Sequence, residues 1–187
     1  MALEIEKKYA LSEDQRSFVL NTLIEMGAQF QGEDFEENTI YGGGILNEKG
    51  AILRIRKTQA KTTLTFKQRM PHEFDVKQQV EYESEFKDLA GLREIVHSLG
   101  FEPRLIYEKR RKTWQFQNVE VVLDELPFGL FMEIEGSITA IKQAEMLFDI
   151  EDFETEHSTY PQLTVKFGRQ KGGIIEARFE SDTKRNS

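Results

Sequence analysis

Hydrophobic and polar residues alternate with period two over several short stretches of this chain. Residues 3 to 8 place Leu3, Ile5 and Lys7 on one face and Glu4, Glu6 and Lys8 on the other, which predicts a strand with three charges on one side. The same alternation predicts strands over Ala51 to Lys57, residues 62 to 69, Gln79 to Phe86, Glu108 to Arg111 and Phe131 to Glu135. Elsewhere the spacing is helical. Ser12 opens a first helix with Gln15 in capping-box position, Leu20, Leu23 and Ile24 form its apolar stripe, and Gly27 suits a left-handed stop just after Met26. Asp88 starts a second helix, with Leu89, Leu92, Ile95, Val96 and Leu99 at helical spacing and Gly100 as its stop. Thr139 to about Phe148 reads as a third helix and Tyr160 to Gly168 as a short C-terminal element.

The connections follow from the residues between these runs. Gln31 to Thr39 reads as a polar stretch, Pro71 to Asp75 as a loop, and Glu180 to Ser187 as a polar tail. Gly42-Gly43-Gly44 and Gly50 look like hairpin connections. A phosphate-cradling loop would need its glycines to lead through Lys-Ser/Thr into a helix, whereas here a strand follows. A coarse repeat emerges: an acidic strand, a helix ending in Met-Gly or Leu-Gly, then several strands that include an Arg-rich one. Two such halves of antiparallel strands can close into a barrel without open edges. The expected fold class is therefore α+β, a closed antiparallel β-barrel with helices packed outside. The 187 residues suit one domain over residues 1–170, with 171–187 as a C-terminal segment that is flexible at its end.

Charge sharpens this picture. One strand face after another carries charge at i and i+2: Glu4, Glu6 and Lys8; Arg54 and Arg56; Thr65 and Lys67; Glu81, Glu83 and Glu85; Lys109 and Arg111; Glu133 and Glu135. The opposite faces carry residues such as Ile5, Leu53, Ile55, Phe66, Met132 and Ile134, which call for a core. On any one strand, an ordinary half-buried sheet gives the same alternation. A solvated face, however, usually mixes signs, because like charges side by side destabilise a sheet. Here most strands carry one sign, which points to a functional interior. The cations Lys8, Arg54, Arg56, Lys67, Lys109 and Arg111 match a polyanion such as condensed phosphate, since Arg forks onto phosphate oxygens and Lys acts as a point charge. The carboxylates offer hard oxygen ligands for magnesium or manganese.

Composition removes several classes of function. The net charge of −8 argues against a broad basic surface for duplex nucleic acid or an anionic membrane. The absence of cysteine excludes disulfides, thiolate metal sites and cysteine nucleophiles. No run approaches the roughly 20 apolar residues of a membrane helix, and no apolar signal stretch precedes Glu4, so a cytoplasmic protein is expected. His72, His97 and His157 share no motif spacing, and alternation turns Trp114 and Phe116 away from the cationic face, toward barrel packing.

Glu4-Ile5-Glu6-Lys7-Lys8 fits the ExExK signature of the CYTH superfamily, the triphosphate tunnel metalloenzymes. The resemblance continues in order through Leu53-Arg54-Ile55-Arg56, Thr65-Phe66-Lys67, Glu81-Tyr82-Glu83, Lys109-Arg110-Arg111, Leu123-Asp124 and Phe131-Met132-Glu133-Ile134-Glu135, covering roughly residues 3 to 166. The resemblance implies an eight-stranded antiparallel tunnel that binds one or two divalent cations, Mg2+ or Mn2+. It implies Glu4, Glu6, Glu133 and Glu135 as the metal shell, and Glu81, Glu83 and Asp124 as groups for a second cation or the attacking water. It also implies Lys8, Arg54, Arg56, Lys67, Lys109 and Arg111 as triphosphate ligands, with Lys166 where some members place a late lysine.

The fold alone leaves the substrate open. Class IV adenylyl cyclases resemble this chain in size and motif order but typically carry a His-Phe element upstream of ExExK, where only Met1, Ala2 and Leu3 stand. Metal-dependent hydrolysis of a small triphosphate is therefore the first expectation, with inorganic tripolyphosphate, thiamine triphosphate or a nucleoside triphosphate as substrate. Cyclisation of ATP to cyclic AMP is the alternative, and a non-catalytic triphosphate sensor the third. A small-molecule triphosphate and a second copy in a homodimer are the expected partners.

Overall fold

The computed structural model describes residues 2–69 and 77–180, with side chains described over 5–68 and 80–180. Eight strands come first in the chain: β1 (Ala2–Leu11), β2 (Gln29–Gly42), β3 (Ala51–Lys57), β4 (Thr62–Arg69), β5 (Lys77–Phe86), β6 (Glu102–Phe116), β7 (Val119–Leu126) and β8 (Gly129–Glu135). They alternate with helices α1 (Glu13–Glu25), α2 (Ile45–Lys49), α3 (Leu89–Ser98), α4 (Ile138–Phe148) and α5 (Tyr160–Phe167), and a hairpin of β9 (Arg169–Lys171) and β10 (Ile174–Ala177) follows. The expected loop from Pro71 to Asp75, His72 and tail residues 181–187 lie outside the described residues.

The helices start where their caps dictate. Ser12 accepts from the Gln15 N–H while the Gln15 side chain accepts from the Ser12 N–H, and Gly27 turns the chain at φ +72° after α1. Asp88 caps α3, Ser137 caps α4, and Thr159 with Gln162 forms a second capping box at α5. The buried stripe of α1 is Val19 and Leu23, with Ile24 exposed, so the helix is rotated by about one position from the expected stripe. In α3, Leu92 and Val96 are buried while Ile95 and Leu99 face solvent.

The strands form an antiparallel sheet in the order β2-β3-β4-β5-β1-β8-β7-β6, with β10 added parallel to β6 and β9 beyond it. β2 also pairs with β6, from Gln29 opposite Gln115 to Gly42 opposite Glu102, so each of β1 to β8 has a neighbour on both sides. The outward apolar faces are covered by helices. α1 and α4 pack on Tyr9, Trp114, Phe116, Val121, Met132 and Ile134. Leu46 of α2 and Leu92 and Val96 of α3 pack on Tyr41, Leu53 and Ile55. The third cluster lies instead on the inward faces, where Tyr160 and Leu163 of α5 pack on Ile40, Leu105, Leu126 and Phe131. At about 25 cal/mol per Å² of apolar surface, these three clusters supply the main drive to fold.

Two connections differ from the sequence expectation. The polar stretch Gln31 to Thr39 lies inside strand β2. Its Glu, Asp and Asn residues have low strand propensity, but β6 pairs along the stretch and β3 joins on the other side from Glu37, and tertiary pairing overrides propensity. Gly42 to Gly50 does join the antiparallel partners β2 and β3, but through the single helical turn of α2, entered at Gly43 and Gly44 and left at Gly50, all with positive φ.

The β2–β6 seam is held by charge on both faces. Inside, Glu36 stands opposite Lys109, and its carboxylate lies 3.3 Å from the lysine and 3.6 Å from Arg56. Burial pushes the Glu36 carboxyl upward, but Lys109, Arg56, Arg111 and Arg54 together hold it well below the usual carboxylate range. Outside, Glu37 stands opposite Glu108, an unfavourable pairing of like charges. Arg178, just after β10, bonds both, at 2.7 and 2.8 Å, and the Phe179 N–H donates to Glu108.

Arg178→Ala should therefore cost about 1 kcal/mol, seen as a fall of roughly 2–4 °C in the thermal midpoint. Adding Glu108→Gln to it should restore much of the loss. Glu36→Gln should cost about 3 kcal/mol at neutral pH, because it breaks a buried pair. The folded-state pKa of Glu36 is depressed, so its contribution is full above the ordinary value of 4.5 and is lost as pH falls through the depressed one. The gap in midpoint between wild type and Glu36→Gln should narrow as pH is lowered from 4.5, and a gap constant down to pH 3 would refute this account.

Candidate functional site

Strand alternation turns one face of each strand inward onto a cavity. Glu6 and Lys8 of β1, Arg54 and Arg56 of β3, Lys67 of β4, Lys109 and Arg111 of β6, and Glu133 and Glu135 of β8 all line it. Lys7, on the other face of β1, pairs instead with Glu145 of α4, which also accepts from the Tyr9 hydroxyl. The six cations expected to meet a polyanion thus share one space. The side chain of Glu4 lies outside the described residues; its backbone pairs with Gln79 in the β1–β5 ladder.

The cations are held by carboxylates from neighbouring strands. Arg111 donates in a two-pronged bond to Asp124, at 2.8 and 2.6 Å, and to Glu133 at 2.6 Å. Lys8 lies 3.3 Å from Glu133, and Lys109 lies 3.4 Å from Asp124. Lys67 pairs with Glu81 at 2.6 Å, while Arg54 is 3.9 Å from both Glu81 and Glu83. Burial pulls the Lys109 ammonium down and neighbouring Arg111 pulls it further, with Asp124 and Glu36 opposing. For Arg111, burial is outweighed by Asp124 and Glu133, so its pKa rises well above the ordinary value. A side chain so anchored keeps its charge at any working pH.

Donor capacity is left over. Arg54 and Arg56 line the cavity, and the buried Nε–H of each, like the nearby Thr63 hydroxyl, has no partner within hydrogen-bond distance, that of Arg56 standing 3.6 Å from Glu36. Buried donors in folded proteins are nearly always satisfied. Guanidinium N–H groups facing a cavity fit the oxygens of a bound anion.

The remaining expected residues fall in different places. Glu81 and Glu83 lie on β5 against Lys67, Arg54 and Thr65. Asp124 is only 1% exposed and already accepts from Arg111, Lys109 and Tyr160, so it anchors cations and has no opening toward water. Lys166 is not brought to the cavity. It is exposed on α5 with its ammonium over the Phe167 ring, because the helix turns Tyr160, Leu163 and Thr164 inward instead. Glu36, Asn38, Tyr107 and Glu120 were not anticipated. Glu36 and Asn38 share the period-two alternation with Ile40, a signal masked by the polar residues around them.

Among the described residues, no three acidic or imidazole side chains converge on one point. The register nevertheless places Glu6 opposite Glu135 and Glu135 opposite Glu120, with all three lining the cavity. A row of like charges destabilises a sheet unless a cation offsets it, and an all-oxygen donor set suits magnesium or manganese. The donor chemistry fits such an ion.

Comparison with known proteins agrees with this architecture. The chain is 28% identical over 151 residues to a Methanocaldococcus jannaschii protein named "Putative adenylate cyclase", covering 79% of this chain and 84% of that protein. A Pyrococcus horikoshii structure superposes with a TM-score of 0.74 at 23% identity, covering 86% of this chain and 98% of that one. A Hippeastrum structure, described as a "Putative adenylyl cyclase" with a dominant triphosphatase activity, superposes with a TM-score of 0.66 at 17% identity, covering 89% and 96%. The CYTH domain profile matches residues 2–165, so this chain, with its charged inward strand faces, belongs to the CYTH domain family.

Proposed function

We propose that the eight paired strands act as a closed tunnel in which the chain hydrolyses a triphosphate with a divalent cation, Mg2+ or Mn2+. The observation that carries this reading is the gathering of Lys8, Arg54, Arg56, Lys67, Lys109 and Arg111 around one cavity in which Arg54 and Arg56 keep unused donors. Six cations exceed what a single carboxylate or phosphate monoester needs and match a chain of condensed phosphates. The arginines would fork onto phosphate oxygens, and the lysines would add point charge where it develops in the transition state. Glu6, Glu133 and Glu135, joined by Glu4, would hold the cation, with Glu120 alongside. A cation held there supplies charge against the phosphate oxygens and activates water.

Phosphoryl transfer depends mainly on positioning and charge stabilisation, and the network anchored by Asp124 and Glu36 keeps the cations fixed before substrate arrives. Water would attack the terminal phosphorus as its bond to the leaving oxygen breaks, so tripolyphosphate would yield phosphate and pyrophosphate. Glu81 and Glu83, beside Lys67 and Arg54, are the carboxylates for a second cation or for orienting water. The second reading is cyclisation of ATP, favoured by the name of the M. jannaschii relative.

Incubation with magnesium or manganese and, separately, tripolyphosphate, thiamine triphosphate and ATP distinguishes these readings. Release of phosphate from tripolyphosphate without cyclic AMP from ATP is expected; pyrophosphate with cyclic AMP would replace the hydrolase by the cyclase. Glu6→Ala and Glu133→Ala should lower metal-dependent turnover at least 100-fold. Arg56→Ala should act mainly on binding, raising KM about tenfold or more with a smaller change in kcat.

A further inference from the structure

Three of the six cations are tied to one side chain that comes from α5 and not from the eight strands, yet lines the same cavity. Tyr160 opens α5 and is 6% exposed. Its hydroxyl donates to Asp124 Oδ2 at 2.7 Å, the oxygen that also takes an Arg111 bond at 2.6 Å and the longer one from Lys109 at 3.4 Å. Its ring face carries the Lys8 ammonium 3.8 Å from the centroid, well within the range of a cation–π attraction. One residue therefore meets β1 and β6 through its ring, with the Lys109 ammonium 5.2 Å from the centroid, and β7 through its hydroxyl.

We propose that Tyr160 is a positioning residue for the cationic wall, acting through Asp124 on Arg111 and Lys109 and through its ring on Lys8. The proposal deepens the triphosphate reading, on which its functional meaning rests. Asp124 must hold a guanidinium and an ammonium in one arrangement while all are out of water. A neutral third donor fixes the carboxylate without adding another repelling charge. Burial, with Asp124 and Glu133 nearby, raises the Tyr160 pKa well above 10.0, so the hydroxyl remains a donor. Packing alone would ask only for the ring, which already meets Phe131 edge-on at 5.5 Å and Tyr107 at 6.2 Å.

Tyr160→Phe separates the two roles, since it removes one oxygen and keeps those ring contacts. In the ligand-free protein, NMR of the Arg111 Nε–H should show solvent exchange about tenfold faster in Tyr160→Phe than in wild type, because the salt bridge to Asp124 opens more often. Tripolyphosphate binding by calorimetry should weaken about tenfold, while kcat on saturating substrate changes less than threefold. Tyr160→Leu, which also releases Lys8, should weaken binding further. Unchanged Arg111 exchange in Tyr160→Phe would overturn the positioning role, whatever the ligand result. If wild type fails to bind tripolyphosphate, the triphosphate reading falls, and the exchange measurement still decides whether Tyr160 holds Arg111.

Discussion

Six cations on the inward face of one sheet repel one another, and the fold exists because carboxylates on the same or nearby strand faces stand within reach of each. Buried charge is tolerated only when it is paired and hydrogen-bonded. Asp124 and Glu36 answer that requirement for Arg111, Lys109 and Arg56, and both are themselves almost fully buried. On the other side, Lys67 pairs with Glu81 of β5 at 2.6 Å, and Arg54 lies 3.9 Å from both Glu81 and Glu83 of that strand.

The same pairing explains why the outward and inward faces of β1 differ so sharply. Lys7 and Lys8 are neighbours in sequence, yet one anchors α4 through Glu145 and the other meets Glu133 and Tyr160 inside. Period two alone sends them to opposite environments. A slip of one residue in register would exchange their roles and bring Tyr9 into the cavity, so the Lys7–Glu145–Tyr9 cluster outside also guards the arrangement within.

Much of this was legible in the sequence, and the misses have physical causes. Strands β3 and β4 were read to the residue, as was the Ser12 capping box, because alternation and caps are local signals. The inward cations of β1, β3, β4 and β6 were read from parity alone, and they line one cavity. Strand β2 was hidden because its alternation, Glu36-Asn38-Ile40, sits in a stretch polar on both faces, and only its ladders to β3 and β6 make it a strand. Asp124 was recognised as a motif residue, but its three donors come from β6 and α5, which no local pattern reveals. Lys166 was taken from motif order alone, and the phase of α5 carries it outward.

Strand β1 has one further consequence. It is the first strand in the chain, and its partners are β5 and β8, the latter meeting it where Glu6 stands opposite Glu135. A ladder between such distant segments must close a long loop before it gains any contact, which slows folding. During synthesis both edges of β1 stay open until β5 and then β8 emerge, and an open edge invites pairing with other chains. The charges of Glu6, Lys7 and Lys8 keep that edge from pairing prematurely, so the residues that line the finished cavity also protect the strand while it waits.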